Sequence, residues 1–298
     1  MKNVNKLTKI ALSSLLCISM LCSCSIEFEE YQSESSVTVS ENNLSVHYLD
    51  VGQGDSIFIE FPDSYTMLID SGENYHGESI IDYITDCGYS DIDYLVATHP
   101  HTDHIGSMGY IVRNFEIGSF YMPKVSANTK TYENLLESIS DKGLKVKSAK
   151  EGTIIKENND LTVEVVAPAT IDSGDLNNCS LVMKITYKDV SYLFTGDAEK
   201  KELKEITSDI SSDVLKVGHH GSSTSTYEEF LEAVNPAIAV ISVGEDNEYG
   251  HPHESTITLL EEFDCEIYRT DEDDTVKVST DGYEITVDTE INSIERAK

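Results

Sequence analysis

The chain has 298 residues, with 54 Asp and Glu against 21 Lys and Arg, a formal net charge of −33. That length suits one large domain or two small ones. A polyanion such as duplex DNA is held mainly through Lys and Arg contacts to phosphate, and no basic stripe runs along this sequence, so charge does not indicate nucleic acid even though it remains a possible substrate.

Taken in chain order, the first nine residues, Met1 to Lys9, are basic and are followed by an apolar run from Ile10 to Leu21. The run is short for a bilayer span and sits where the apolar part of a signal peptide belongs. It ends in Leu21-Cys22-Ser23-Cys24, which resembles the bacterial lipobox, whose last Cys becomes the lipidated N-terminus. The expectation is a lipoprotein signal over residues 1–23 and a lipid anchor on Cys24, with acyl chains holding the protein on the outer face of the cell membrane. Residues 24–43, rich in Ser and Glu and without periodicity, read as a solvated tether. The folded part is expected over residues 44–298. Of the six cysteines, Cys87, Cys179 and Cys265 lie in that part, an odd and widely spaced set that is not a disulfide framework.

Short strands separated by Gly, Pro, Asp and Ser are expected at Leu44 to Asp50, Ser56 to Phe61 and Tyr65 to Asp70. A helix follows at Glu78 to Cys87, with Ile80, Ile81 and Ile84 on one face. A short apolar strand, Asp93 to Thr98, runs into a group of histidines. Helices are expected near Ile105 to Asn114 and Tyr132 to Lys142; Lys142, Lys145, Lys147 and Lys150 read as solvated surface there. Strands follow at Leu161 to Ala167, Leu181 to Lys188 and Val190 to Thr195. The remainder alternates: a helix after Asp197, a strand at Val214 to Val217, a helix near Tyr227 to Val234, a strand at Ile238 to Val243, a helix near Ser255 to Phe263, then closing strands. Two groups of strands with interspersed helices suit an α/β fold of two packed sheets flanked by helices. Periodicity does not order the sheets.

Seven of the nine histidines fall in three clusters: His99, His101 and His104; His219 and His220; His251 and His253. Each cluster follows a strand or lies in the loop after one, where layered folds gather site residues. In Thr98-His99-Pro100-His101-Thr102-Asp103-His104, alternate residues of an extended loop point the same way, so His99 and His101 can share one metal. Asp103 and His104 begin the next turn and can face a second. Imidazole and carboxylate suit zinc, manganese or iron. His47 and His76 have no partners in sequence and are given no role.

His-x-His-x-Asp-His after a short apolar strand resembles the signature of metallo-β-lactamase-fold hydrolases. Phe194-Thr195-Gly196-Asp197 is similar to their later motif, and Leu68-Ile69-Asp70-Ser71-Gly72 to the segment whose buried Asp braces the histidine loop. Together with Leu49 to Ser56 and Gly218-His219-His220-Gly221-Ser222, these segments resemble the extracellular hydrolase domain of ComEC-type competence proteins and their stand-alone relatives. The likeness runs from about Leu44 to the C-terminus. It lacks the channel-forming membrane region of those proteins, so DNA transport is not expected.

The resemblance implies an αββα four-layer sandwich and two divalent ions, Zn or Mn, with Asp197 bridging them. One departure stands out. The third histidine that many members give the first ion would fall in Leu176 to Val182, which contains none. The first ion would then have His99, His101 and Asp197, with an Asn177 or Asn178 oxygen or water, and this position is expected to be labile. For the second ion, Asp103, His104 and Asp197 would be joined by His220 or by a histidine of His251-Pro252-His253; His220 is preferred. Asp103, His219, His251 and His253 are then the catalytic candidates, the three histidines holding the leaving group or substrate phosphate or acting as acid. Asp70, Asn177, Asn178 and Ser222 support the metals or the substrate.

Two ions so placed would activate a water near neutral pH and neutralise charge developing on a phosphoryl or carbonyl oxygen. The reading is a surface-anchored metal-dependent hydrolase of phosphodiesters, either nucleic acid or a cell-wall phosphodiester. Hydrolysis of a carboxylic ester, lactone or lactam is the alternative within the class. A non-catalytic surface binding protein reusing the fold is the alternative outside it. No protein partner is implied.

Overall fold

The computed structural model describes residues 43–171 and 174–290. The expected signal, Cys24 and nearly all of the expected tether lie outside them. Strands β1 (Leu44–Tyr48), β2 (Ile57–Glu60) and β3 (Thr66–Ile69) form an antiparallel meander. Then come α1 (Gly77–Asp86), β4 (Asp91–Val96), α2 (Thr102–Ile105), α3 (Met108–Asn114), β5 (Glu116–Met122), α4 (Lys130–Lys142) and β6 (Val146–Ser148). The second half holds β7 (Thr153–Glu157), β8 (Leu161–Ala167), β9 (Val182–Tyr187), β10 (Val190–Phe194), α5 (Lys200–Leu203), β11 (Val214–Lys216), α6 (Glu228–Val234), β12 (Ile238–Ile241), α7 (Glu254–Glu262), β13 (Glu266–Arg269) and α8 (Thr270–Asp273). Strands β14 (Val276–Thr280) and β15 (Ile285–Thr289) close it.

Two mixed sheets result, in the orders β15-β14-β1-β2-β3-β4-β5-β6 and β13-β12-β11-β10-β9-β8-β7. In the first, pairing turns from antiparallel to parallel at β3 and stays parallel through β6. In the second it turns at β10 and stays parallel through β13. Parallel strands share a C-terminal edge, where such sheets collect ligand-binding loops.

Strand alternation explains the four layers. Ile57, Ile59, Met67, Ile69, Tyr192 and Phe194 join the core between the sheets. Their neighbours Phe58 and Leu68 turn outward onto Ile80, Ile84, Ile111 and Leu135 of the helices on the first sheet. Leu193, Leu215 and Ala239 meet Phe230, Leu231 and Leu260 of the helices on the second. This is the expected αββα sandwich. Among the described residues no helix is long and apolar enough to cross a membrane, and no disulfide joins Cys87, Cys179 and Cys265.

Two expectations are corrected. The single helix near Ile105 to Asn114 is two, broken at Gly106 and Ser107. Gly106 lies so close to the backbone of Glu73 and Asn74 that a Cβ would stand 2.5 Å from Glu73 C, and the Ser107 hydroxyl donates to Glu73 O. The segment after that break also holds β5, β6 and β7, which were not expected. Strand β5, Glu-Ile-Gly-Ser-Phe-Tyr-Met, packs apolar side chains on both faces, so it lacks alternation, and its Gly118 carries no strand propensity of its own. Its order comes from pairing with β4 and β6.

Candidate metal centre

The site forms where both sheets present their C-terminal edges. After β3 the chain delivers Asp70; after β4, residues His99 to His104; after β10, Asp197; after β11, His219 and His220; after β12, the loop to His251. Backbone bonds tie these loops together: Leu181 N–H donates to Thr98 O at 3.0 Å across the two sheets, and His219 N–H to Gly196 O at 3.0 Å within the second. The β1–β2 loop closes on the histidine loop, with Asp55 N–H to Asp103 O at 3.2 Å. Gly54 makes that approach possible. It sits at φ +135°, and a Cβ there would lie 2.2 Å from Asp103 O.

Two groups of donor atoms share Asp197. His99, His101 and Asp197 form one; Asp103, His104, Asp197 and His220 form the other, with the atoms of each group within 4.8 Å of one another. Asp197 Oδ2 lies 3.8 Å from His99 Nε2 and 3.3 Å from His104 Nε2, and its Oδ1 lies 3.6 Å from His220 Nε2. Asp103 Oδ2 stands 3.7 Å from His104 Nε2 and 3.3 Å from His220 Nε2.

Buried groups behind the rings set their direction. His104 Nδ1 meets Asp70 Oδ2 at 2.8 Å. Asp70 accepts in turn from Thr98 N–H at 2.8 Å and Thr98 Oγ1 at 2.6 Å. His220 Nδ1 faces Ser242 O at 3.0 Å. The arrangement leaves both Nε2 atoms facing the carboxylates. His99 Nδ1 lies 3.3 Å from Ser180 Oγ, which accepts from Asp197 N–H at 3.1 Å. His219 and His220 both hold left-handed backbone, at φ +50° and +54°, a strained state that clusters at functional sites.

The donor set suits divalent cations. Among the described residues, His104 Nε2 and Asp197 Oδ1 are buried without a hydrogen-bond partner. Burial alone would lower the basicity of His104, but Asp197, Asp103 and Asp70 overcome it and raise its pKa well above the ordinary value. Burial also opposes protonation of His220, yet Asp197 and the bonds to Asp103 and Asp55 raise it to about 10. His99, also buried and beside His104, is pushed well below the usual range. Carboxylates converging on this point demand positive charge, which protons or metal ions can supply in competition.

The remaining expected residues separate into two kinds. His219 and His251 line the cleft of about 340 Å³ above the donor groups, with Asn177, Gln53 and Tyr249. His219 Nε2 reaches within 3.7 Å of Asp197 Oδ2. His251 is held by Asn247, whose Oδ1 accepts its backbone N–H at 3.0 Å. Burial and then the neighbouring His219, His220 and His253 push His251 down to about 4, so near neutral pH it is a neutral donor and not a stored proton. Asn177 Oδ1 is buried without a partner among the described residues.

Three expected residues do not face the cleft. His253 sits behind His251, with ring centroids 4.8 Å apart, and its Nδ1 accepts from Ser223 N–H at 2.9 Å. Asn178 Oδ1 accepts from the backbone of Glu199 and Glu202 at 3.1 and 3.2 Å, bracing the loop after Asp197. Ser222 is buried, with its Oγ 3.0 Å from Thr224 Oγ1. Of the two histidines expected in that loop, His251 therefore reaches the cleft and His253 does not, while Asn178 and Ser222 brace neighbouring loops. Sequence reasoning gave no role to Asp55, Ser180, Lys216 or Tyr249. Lys216 left a legible signal: a lysine in an otherwise apolar strand, three residues before His219.

The profile of the Metallo-beta-lactamase superfamily matches residues 49–245, and the chain belongs to that superfamily. Within it, the chain is similar to ComEC-type competence proteins. It is 33% identical over 252 residues to ComE operon protein 3 of Bacillus subtilis (strain 168), covering 78% of this chain and 32% of the relative. It is 27% identical over 249 residues to Competence protein ComA of Neisseria gonorrhoeae, covering 82% and 33%. The chain thus spans about a third of the length of these relatives. Among solved structures, Igni18, a metallo hydrolase from the archaeon Ignicoccus hospitalis, matches with a TM-score of 0.51 at 18% identity over 79% of this chain and 98% of that one. CmlA, a diiron beta-hydroxylase from Streptomyces venezuelae, matches at 0.52 and 17% over 76% and 52%. At these identities the likeness concerns the fold.

Proposed function

We propose that this protein is a two-metal hydrolase of phosphodiester bonds, anchored to the outer face of the cell membrane through lipidated Cys24. The observation that carries the hydrolytic reading is the pair of donor groups sharing Asp197 beneath an open cleft. His99, His101 and Asp197 would hold one divalent ion, with Asn177, whose Oδ1 is buried without a partner among the described residues, lining the cleft above them. Asp103, His104, Asp197 and His220 would hold the other. Zn or Mn bound there would supply Lewis acidity and an activated water near neutral pH.

The chain's own groups favour a phosphoryl substrate. His219 and His251 place ring nitrogens on the cleft wall, where they can donate to substrate oxygens as negative charge grows on them. Tyr249 at the rim is 68% exposed, and its ring stacks on His251 at 5.7 Å; it can cover the group esterified to the phosphate. Glu245, Asp246 and Glu248, exposed on the same loop, disfavour a long polyanion and favour a short or locally neutral phosphodiester. The nearly complete donor set argues against a fold reused for binding alone.

The test is hydrolysis by purified protein reloaded with Zn²⁺ or Mn²⁺, assayed on bis-p-nitrophenyl phosphate, oligonucleotides, phosphocholine esters and nitrocefin. Metal-dependent cleavage of a phosphodiester is expected. Turnover of nitrocefin or a lactone alone would replace the substrate class, and a metal-free, fully active preparation would overturn the mechanism. Anchoring is tested separately. Cys24→Ser should release the protein from membranes or leave it unprocessed, and undiminished membrane association without lipid labelling would refute the anchor.

A further inference from the structure

One charged pair lies beneath the cleft without touching it. Lys216, the last residue of β11, is fully buried, and its Nζ stands 2.8 Å from Asp55 Oδ1, which is also buried. Lys216 Nζ donates in addition to Val217 O at 3.0 Å. The two residues come from different sheets, Asp55 from the β1–β2 loop and Lys216 from the strand that leads into His219 and His220. Burying an ion pair costs much of what its attraction returns, and apolar replacements of similar volume are often as stable or more so. A cation beside a site that gathers positive charge adds a further cost. Stability of the fold is therefore a poor account of this pair.

Its position supplies a better one. Asp55 Oδ1, the atom that meets Lys216, also lies 3.3 Å from His220 Nδ1. The same Nδ1 faces Ser242 O at 3.0 Å. His220 thus has a carbonyl acceptor behind it and, at ion-pair distance, a carboxylate shared with a lysine. The other braced ring differs: His104 meets Asp70 at 2.8 Å, and Asp70 is satisfied by neutral donors from Thr98. Without Lys216, Asp55 would be a bare buried carboxylate free to draw the His220 ring and its proton towards itself. With Lys216 holding Oδ1, Asp55 stands beside His220 Nδ1 without capturing it, and Nε2 stays 3.3 Å from Asp103 and 3.6 Å from Asp197. The backbone of His220, strained at φ +54°, does not by itself hold the ring.

We infer that Asp55 and Lys216 form a positioning couple that keeps His220 turned, Nε2 inward, as a ligand for the metal position it makes with Asp103 and His104. Neither residue is catalytic; both act through His220. The inference rests on the ligand assignment proposed above and deepens it.

The test is Co²⁺ titration of the metal-free full-length protein, followed by visible absorption and uptake, with thermal unfolding measured in parallel. Wild-type protein should take up two ions. Lys216→Met alone leaves a buried unpaired carboxylate and is expected to unfold at lower temperature. The deciding variant removes both charges, Asp55→Leu with Lys216→Met. It should unfold near the wild-type temperature and bind one Co²⁺ as wild type does. The other ion should bind 10–100-fold more weakly, the loss typical of removing an outer partner of a ligand. A folded double variant that binds both ions with wild-type affinity would overturn the couple and leave the pair a feature of the fold. Should the double variant not fold, Asp55→Asn keeps the shape without the charge; a tenfold weaker ion supports the couple, and unchanged affinity for both refutes it. Wild-type protein that takes up no Co²⁺ would defeat the ligand assignment itself, and this couple with it.

Discussion

His104 and His47 are both buried imidazoles that meet a carboxylate at 2.8 Å, His104 with Asp70 and His47 with Glu60. They differ in what the second ring nitrogen does. His47 Nδ1 lies 2.8 Å from the Tyr83 hydroxyl, so both of its nitrogens are satisfied on the helix-covered face of the first sheet. His104 Nε2 is buried and makes no hydrogen bond among the described residues, while two further carboxylates stand 3.3 and 3.7 Å away. Cys87 completes a His47–Glu60–Cys87 group whose residue types could also bind a metal. Burial and residue type thus fail to separate the two places. The unpaired nitrogen does, because an unsatisfied buried donor or acceptor is costly unless a partner arrives.

The sharpest way to break this comparison is to remove one donor from each place. Asp197→Ala, which strips the carboxylate both groups share, should abolish hydrolysis and lower metal content by at least one ion per chain. The loss of affinity should exceed the ~10²-fold that outer partners of a ligand account for. His47→Ala should leave metal content unchanged, as read by elemental analysis, and should lower the unfolding free energy by about 1–3 kcal/mol through the lost bonds to Glu60 and Tyr83. Metal lost from His47→Ala would mean that the wrong cluster has been read as the centre.

Within the cleft, His251→Ala should keep both ions and reduce turnover by about 10²-fold, the loss typical of removing one hydrogen-bond donor to a developing oxyanion. The defect should shrink for a p-nitrophenyl ester, whose leaving group needs little help. Loss of metal in His251→Ala with retention in His220→Ala would reverse the two assignments and leave the fold intact.

The smallest expected effect concerns Glu202, which is buried with neither carboxyl oxygen hydrogen-bonded among the described residues. Burial, then Glu205 and Asp175, raises its pKa to about 9 from 4.5. Between those values the folded state keeps a proton that the unfolded state releases, so stability falls as pH rises across that window. Glu202→Gln should remove this slope. The variant should melt a few degrees above wild type near pH 8.5 and match it near pH 4.5, as followed by thermal unfolding. An equal difference at both pH values would show that the proton plays no part.

Much of the centre could be read from the chain because its donors are local. His99, His101, Asp103 and His104 occupy one loop, and alternation along an extended backbone already separates the first pair from the second. Alternating apolar residues likewise placed β8, β9 and β10 within a residue or two of their ends. Strands β5 to β7 escaped, since an edge strand or one buried on both faces need not alternate.

What the linear order left open was every relation that crosses between sheets. Whether His220, His251 or His253 reaches the second group depends on how β11 and β12 lie beside β10, and parallel pairing brings His220 to Asp197 while the longer loop leaves His251 on the cleft wall. Asn177 and Asn178 are adjacent in sequence, yet the turn before β9 aims the first at the cleft and the second at the backbone of Glu199 and Glu202. Asp55 and Lys216 are far apart in the chain, and nothing in either segment names the other as partner. Residue types and their local periodicity carry the chemistry a loop can perform. The choice of partner follows only when two sheets pack with their C-terminal edges together, because the side chains that complete each group arrive from strands that no short-range pattern connects.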